Sequence, residues 1–261
     1  MMVTTTETMT SMSPLSSDPD ADRPVRKVVT DRSAGNLADH VGDDPEAVAA
    51  NRARLAELID LPVSSVVYME QIHSPNVTEV TEELLESLDG AAVDVTDALV
   101  TTLPGIALAV LTADCVPVLL SDDEAGVVAA VHAGRIGARN GIVARTVEHM
   151  VDLGATPSRI HALLGAAAAG EDYEVPESMA EDVESRLPGS RTVTAAGTPG
   201  LDIRAGVTRQ LLGMGVRAID ADPRSTITSE NFYSYRREGV TGRQAGVVWM
   251  PSGVSASAAA D

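Results

Sequence analysis

One cysteine stands in 261 residues, so no internal disulfide can form, and a lone thiol suits a reducing compartment. Aromatic residues are scarce: one Phe, one Trp and four Tyr leave any core to aliphatic packing. No apolar run approaches the ~18–20 residues needed to cross a bilayer. The first 22 residues hold no Lys or Arg and no apolar signal core, so a cytoplasmic location is expected. Familiar motifs are missing as well. Without G-x-S-x-G a serine triad on a nucleophile elbow has no support, and without G-x-G-x-x-G or a Walker loop neither has dinucleotide or nucleoside triphosphate binding through those cradles.

Positive charge is in short supply. Nineteen Lys and Arg face 38 Asp and Glu, and the net charge of −19 disfavours nucleic acid and anionic membranes as partners. A small anion is still admissible where cations gather. They gather twice: Arg135, Arg139 and Arg145 lie in an acid-free stretch from Gly126 to Val147, and Arg236, Arg237 and Arg243 face Glu238 alone.

What is present is an alternation of strand and helix patterns, which predicts one α/β (α+β) domain over 25–250, a mixed β-sheet core flanked by helices. Residues 1–24 and 251–261 read as flexible tails. Strands are predicted over 25–30, 65–70, 97–101, 105–111, 116–120, 126–131, 159–164, 216–220 and 245–250. Asp44-Pro45-Glu46 starts a helix to about Ile59, with Val48, Leu55, Leu58 and Ile59 on its buried side. Further helices are expected over 82–88, from an Asn140 cap to Gly154, over 176–186, and after an Asp202 cap.

Three ligand-type residues, His73, Cys115 and His132, fall at or just past predicted strand ends. Closing the 116–131 hairpin with a loop at 122–125 makes Ser121 face Gly126 and sets Cys115 opposite His132, with Cα atoms ~4.5–5.5 Å apart and side chains on one face. Pro117 cannot donate to a ladder, so an edge or a bulge is expected there. Two imidazoles and a thiolate suit Zn²⁺ with a fourth tetrahedral position open. Asp114 or Gln71 is expected to orient a ligand imidazole. His40, His149 and His161 read as structural. The same residues admit a metal-free alternative, Cys115 as nucleophile and His132 as base in a thiol hydrolase.

Several short motifs, taken together and in order, resemble the YfiH/laccase-domain family, also called polyphenol oxidase, peptidoglycan editing factor or purine nucleoside phosphorylase. They are Gly35-Asn36-Leu37 with His40-Val41-Gly42-Asp43-Asp44, Gln71-Ile72-His73, Thr112-Ala113-Asp114-Cys115-Val116-Pro117, His132-Ala133-Gly134, Tyr173-Glu174-Val175, and Phe232-Tyr233-Ser234-Tyr235-Arg236-Arg237 with Thr241-Gly242-Arg243. The resemblance implies zinc on His73, Cys115 and His132 as the catalytic ligands. It also implies phosphorolysis of adenosine, inosine, guanosine and methylthioadenosine by a cytoplasmic monomer, with adenosine deamination as a second activity. Asn36, Arg135, Arg236, Arg237 and Arg243 are the expected substrate- or phosphate-binding residues, the arginines on grounds of charge.

The chain departs from the family's pattern in three places. Where the family has Trp-Arg-Gly after His132-Ala133-Gly134, Arg135-Ile136-Gly137 stands, which removes an aromatic platform and displaces the arginine by one residue. The glycine-rich turn before Asn36 is reduced to Ser33-Ala34-Gly35, and the Gly-Pro near Tyr173 is Gly165-Ala166. The family's copper-dependent phenol oxidase label fits the histidine inventory poorly, since five histidines with no H-x-H pair fall short of a multicopper cluster. Peptidoglycan-precursor editing or binding is the remaining alternative.

Overall fold

A computed structural model describes residues 25–252; the expected N-terminal tail and most of the C-terminal one lie outside them. In chain order the strands and helices begin with β1 (Arg26–Val29), α1 (Pro45–Leu58), β2 (Val66–Val67), β3 (Val77–Glu79), α2 (Glu82–Leu88), β4 (Ala98–Thr101) and β5 (Ala107–Thr112). They continue with β6 (Val116–Asp122), β7 (Val127–Ala133), α3 (Arg135–Arg139), α4 (Ile142–Asp152), β8 (His161–Leu164) and α5 (Glu177–Arg186). The last are β9 (Arg191–Val193), β10 (Pro199–Leu201), α6 (Ile203–Gly213), β11 (Ala218–Ala221), α7 (Tyr235–Glu238) and β12 (Gln244–Trp249). A four-stranded sheet runs β1-β12-β5-β2, a six-stranded one β11-β8-β6-β7-β4-β3, and β10-β9 form a small hairpin. The fold is mixed α/β, as its strand and helix patterns predict.

The two large sheets pack face to face, which explains why β4, β5, β6, β7 and β12 read as unbroken apolar runs: every residue in them is buried, on either face. Leu108 and Val110 of β5, Leu119 of β6, and Val128 and Ala130 of β7 meet between the sheets. The residues that alternate with them point outward. Val116, Val118, Ala129 and Val131 pack beneath α4, α5 and α6, while Ala107, Ala109 and Leu111 pack beneath α1. The order of layers is therefore helix, sheet, sheet, helix.

Helix starts follow local chemistry. The Asp44 carboxylate accepts from the Glu46 amide with Pro45 in the first turn, Thr81 caps α2 through the Leu84 amide, and Asp202 caps α6 through the Ala205 amide. Leu58, expected inside, is half exposed, while Val48, Leu55 and Ile59 are buried. Asn140 does not cap the long helix. It closes the one-turn α3, and Gly141 in the left-handed region starts α4. The strand expected over 65–70 is confined to Val66–Val67 with an isolated bridge at Met69, and β3, β9 and β10 are strands that the sequence pattern does not predict.

The β6–β7 register differs from the expected one. Asp122 pairs with Val127, so the loop is 123–126, with Gly126 at φ +65° inside it and not in the strand. His132 consequently faces Pro117, and Cys115 lies diagonally past the ladder's end. The slip is two positions along one strand, so side-chain parity survives and both residues stay on the inter-sheet side. Pro117 is in a central strand, not at an edge. Its carbonyl accepts from Gly165, just beyond the end of β8, so its missing N–H falls where that ladder has stopped.

Leu119, fully buried between the sheets, should report on this core. Leu119→Ala is expected to cost ~2–5 kcal/mol in urea unfolding, and Val193→Ala, two-thirds exposed, less than ~0.5 kcal/mol.

Candidate metal centre and its cavity

The site forms where the sandwich opens. Strand β5 leaves the four-stranded sheet at Thr112, and Ala113-Asp114-Cys115 carry the chain across to β6 in the six-stranded sheet. In β7 the face that presents Val128 and Ala130 to the opposite sheet next presents His132. The loop after Met69 brings in His73, which holds a left-handed backbone at φ +61°. One ligand atom from each of His73, Cys115 and His132 lies within 4.8 Å of the others, and the two imidazoles sit 4.7 Å apart, tilted by 59°. His132 is buried, Cys115 half-buried and His73 exposed.

Both imidazoles depend on Asp97, which continues β4 opposite His132 and is wholly buried. One carboxylate oxygen accepts from His132 Nδ1 at 2.8 Å and from the His73 amide at 2.9 Å. The other accepts from the amides of Ile72 (3.2 Å) and Ser74 (2.6 Å) and from Ser74 Oγ (2.7 Å). Burial alone would raise the Asp97 pKa, but the bonds from His132 and Ser74 outweigh it and bring it to about 2. For His132 burial works against the charge, yet the Cys115 sulfur and Asp97 prevail and push it up to about 9. His73, exposed as a residue but with its ring partly covered, is lowered, by that partial desolvation first and by its neighbour His132 second.

The orienting residue is thus Asp97, in place of the expected Gln71 or Asp114. Gln71 spends its amide on the Leu111 backbone, donating at 2.7 Å and accepting at 2.8 Å. Asp114 accepts from Thr226 Oγ1 and from the Arg236 amide. The sequence signal for Asp97 was a single acid at the head of an apolar strand, where an unpaired charge would be untenable.

The donor set fits a divalent metal ion. With Nδ1 of His132 committed to Asp97, Nε2 is left for the ion, which is the usual carboxylate–histidine arrangement. Ligand atoms on a common zinc at ~2.0–2.3 Å lie ~3.3–3.8 Å apart, so a small closure completes the set. Gly134 makes room for it: a Cβ there would sit 2.6 Å from His73 Nδ1 and 3.0 Å from Cys115 Sγ.

A cavity of about 560 Å³ opens over these residues. Arg135, Arg236 and Arg243 line it, together with Tyr173, Tyr235, Leu111, Ile136 and Ile203, and His40 stands among its lining residues. His40, read as structural, therefore belongs to the site region, whereas His149 faces Glu79 at 3.4 Å and His161 faces Asp220 at 2.8 Å, elsewhere. Among the described residues no salt bridge joins Arg135, Arg236 or Arg243 to a carboxylate, although Arg139, Arg159, Arg191 and Arg224 each have at least one. The Arg236 guanidinium lies 4.8 Å from the Tyr173 ring centre, and Arg243 donates to the carbonyls of Thr241 (2.5 Å) and Gly242 (3.1 Å). Burial lowers the Arg243 pKa from its ordinary value.

Two expected binding residues are not in this lining. Arg237 is spent on the carbonyls of Thr226, Ile227, Ser229 and Phe232 and on Glu238, so it clamps a loop. Asn36 is buried, tied to Ala38 and Asp43, and accepts from the Arg243 amide at 2.9 Å, so it reaches the cavity only through Arg243.

Comparison with known proteins adds a family. The model of the multi-copper polyphenol oxidoreductase laccase family matches residues 28–251. A purine nucleoside phosphorylase of Corynebacterium glutamicum is 65% identical over 238 residues, spanning 88% of this chain and 96% of the relative. One from Mycobacterium tuberculosis is 54% identical over 235 residues, spanning 87% and 92%. Among solved structures, YlmD from Geobacillus stearothermophilus superposes with a TM-score of 0.81 at 30% identity, covering 87% of this chain and 92% of its own.

Asp97→Asn should weaken metal binding ~10–100-fold in a chelator competition, because the His132 ring and the backbone that carries His73 lose their common anchor. Affinity in wild type should rise with pH up to about 9, since an entering ion must displace the His132 proton. Gly134→Ala should remain folded by circular dichroism and retain no stoichiometric metal.

Proposed function

The chain belongs to the multi-copper polyphenol oxidoreductase laccase family, and from that premise we propose that it is a zinc-dependent purine nucleoside phosphorylase. The observation that carries the proposal is the joining, in one cavity, of a His-Cys-His ligand set and arginines without carboxylate partners. The Corynebacterium and Mycobacterium relatives are named purine nucleoside phosphorylases, which supports a purine nucleoside and phosphate as the substrate class. The donor set favours zinc among divalent ions. A lone thiol in that set is in keeping with a cytoplasmic enzyme.

In phosphorolysis a phosphate oxygen bonds to C1′ of the ribose while the bond from C1′ to the purine nitrogen breaks, giving free base and ribose 1-phosphate. Arg135, Arg236 and Arg243 are our assigned phosphate holders, because all three line the cavity that holds the ligand set and none is paired with a carboxylate there. Guanidinium forks grip phosphate through paired, charge-assisted bonds and hold one oxygen towards C1′. Tyr173, Tyr235 and Ile136 supply the apolar surface against which a purine can rest, on a chain that has Arg135 where the family has tryptophan. When bound, zinc supplies Lewis acidity at the cavity floor. Adenosine deamination is proposed as a second activity of the same site.

One observation favours a different chemistry. Cys115, His132 and Asp97 form a thiol–imidazole–carboxylate series that a metal-free hydrolase could use. The two readings separate on metal. Phosphorylase activity should vanish on dialysis against chelator, return with zinc and be absent from Cys115→Ser, whereas a thiol hydrolase would survive the chelator. Copper-dependent turnover of phenols would favour the oxidase, and zinc with no nucleoside turnover would favour precursor binding or editing. Arg243→Ala should raise the KM for phosphate ~10-fold or more; an unchanged KM would remove that assignment.

A further inference from the structure

The third metal ligand and the third cavity arginine share a support. Asp114 precedes Cys115 in the crossover between the sheets and holds φ +87°, a left-handed backbone that is unfavourable for residues with a Cβ. Such a conformation persists only where the surroundings enforce it. Here they do so from several sides. The Asp114 carbonyl accepts from the Ala168 amide at 2.9 Å, Oδ1 accepts from Thr226 Oγ1 at 2.6 Å, and Oδ2 accepts from the Arg236 amide at 2.7 Å.

The last bond reaches α7, a single turn with no buried residue of its own. Ser234 caps it through the Arg237 amide, and the Arg237 guanidinium ties it to the loop before it. Neither contact fixes α7 relative to the metal ligands. The Asp114 carboxylate does, because the next residue along the backbone is Cys115.

We propose that Asp114 is a positioning residue, one carboxylate that sets the distance between the Cys115 thiolate and the anion-binding guanidinium of Arg236. The inference rests on the reading of the cavity as a phosphate site. It predicts that phosphate affinity depends on Asp114 by way of Arg236, and that metal content does not.

The test is a double-mutant cycle on the zinc-loaded full chain, with inorganic phosphate binding followed by calorimetry and metal content measured on the same samples. Asp114→Gly removes the carboxylate and tolerates the backbone angle. It should weaken phosphate binding ~10-fold with Arg236 present and less than twofold in the Arg236→Ala background, with zinc still near one per chain. Thr226→Val, which removes one support from outside the cavity, should reproduce a smaller part of the loss and covers the case in which Asp114→Gly does not fold. Equal losses in the two backgrounds, or loss of zinc in step with loss of phosphate, would overturn the proposal. A wild-type protein that turns over nucleosides while the cycle is additive would sink this inference alone. A wild type that binds no phosphate would remove the reading on which it rests.

Discussion

A buried carboxylate with five donors on its two oxygens governs the arrangement at the mouth of the sandwich. Asp97 could not be held ionised in an apolar sheet without them, and those donors are what fix the two imidazoles. One bond goes to the His132 ring and three go to consecutive amides of the loop that carries His73, so the loop is wrapped on the carboxylate and its histidine is turned back over the opening. Removing the charge would release a ring and a backbone segment together. The rest of the fold prepares this point: two sheets pack tightly through Leu108, Val110, Leu119, Val128 and Ala130, then part where His132 and Cys115 replace apolar side chains.

Charge supplies the second constraint. A chain of net −19 repels anions at long range, and several of its arginines, Arg139, Arg159, Arg191 and Arg224 among them, are drawn into pairs with its many acids. Arg135, Arg236 and Arg243 are left without such pairs around a cavity that also holds the ligand set. Two of the guanidinium groups are held by neutral groups instead, the Tyr173 ring for Arg236 and backbone carbonyls for Arg243, so orientation is gained with the charge left available. An acidic background thereby sharpens a local positive site, since any carboxylate that quenched it would compete with the anion it serves.

The legible parts of this structure were the ones set by neighbours in sequence. Caps at Asp44 and Asp202 and the buried runs of β5, β6, β7 and β12 follow from a few adjacent residues, and they hold in the fold. The observed hairpin register departs from the expected one because Gly126 belongs to the turn, where its positive φ is needed, and Asp122 to the strand. Buried Asp122 is accommodated there by the Glu124, Ala125 and Thr156 amides and by Arg159, from a segment that local pattern does not bring near. Arg236 and Arg237 show the same limit. They are adjacent and alike in sequence, yet one stacks in the cavity and the other clamps a loop, a difference that only the course of residues 226–232 decides. The strand pattern covers Asp97, but its role depends on the pairing of β4 with β7, which no local pattern supplies.

The central claim is that three side chains from separate segments hold one divalent ion with room for a further ligand. X-ray absorption at the zinc edge of the metal-loaded protein tests it most directly. The account predicts one sulfur at ~2.3 Å, two imidazole nitrogens at ~2.0 Å and one additional light atom. A spectrum with no sulfur, or with a single imidazole, would contradict it.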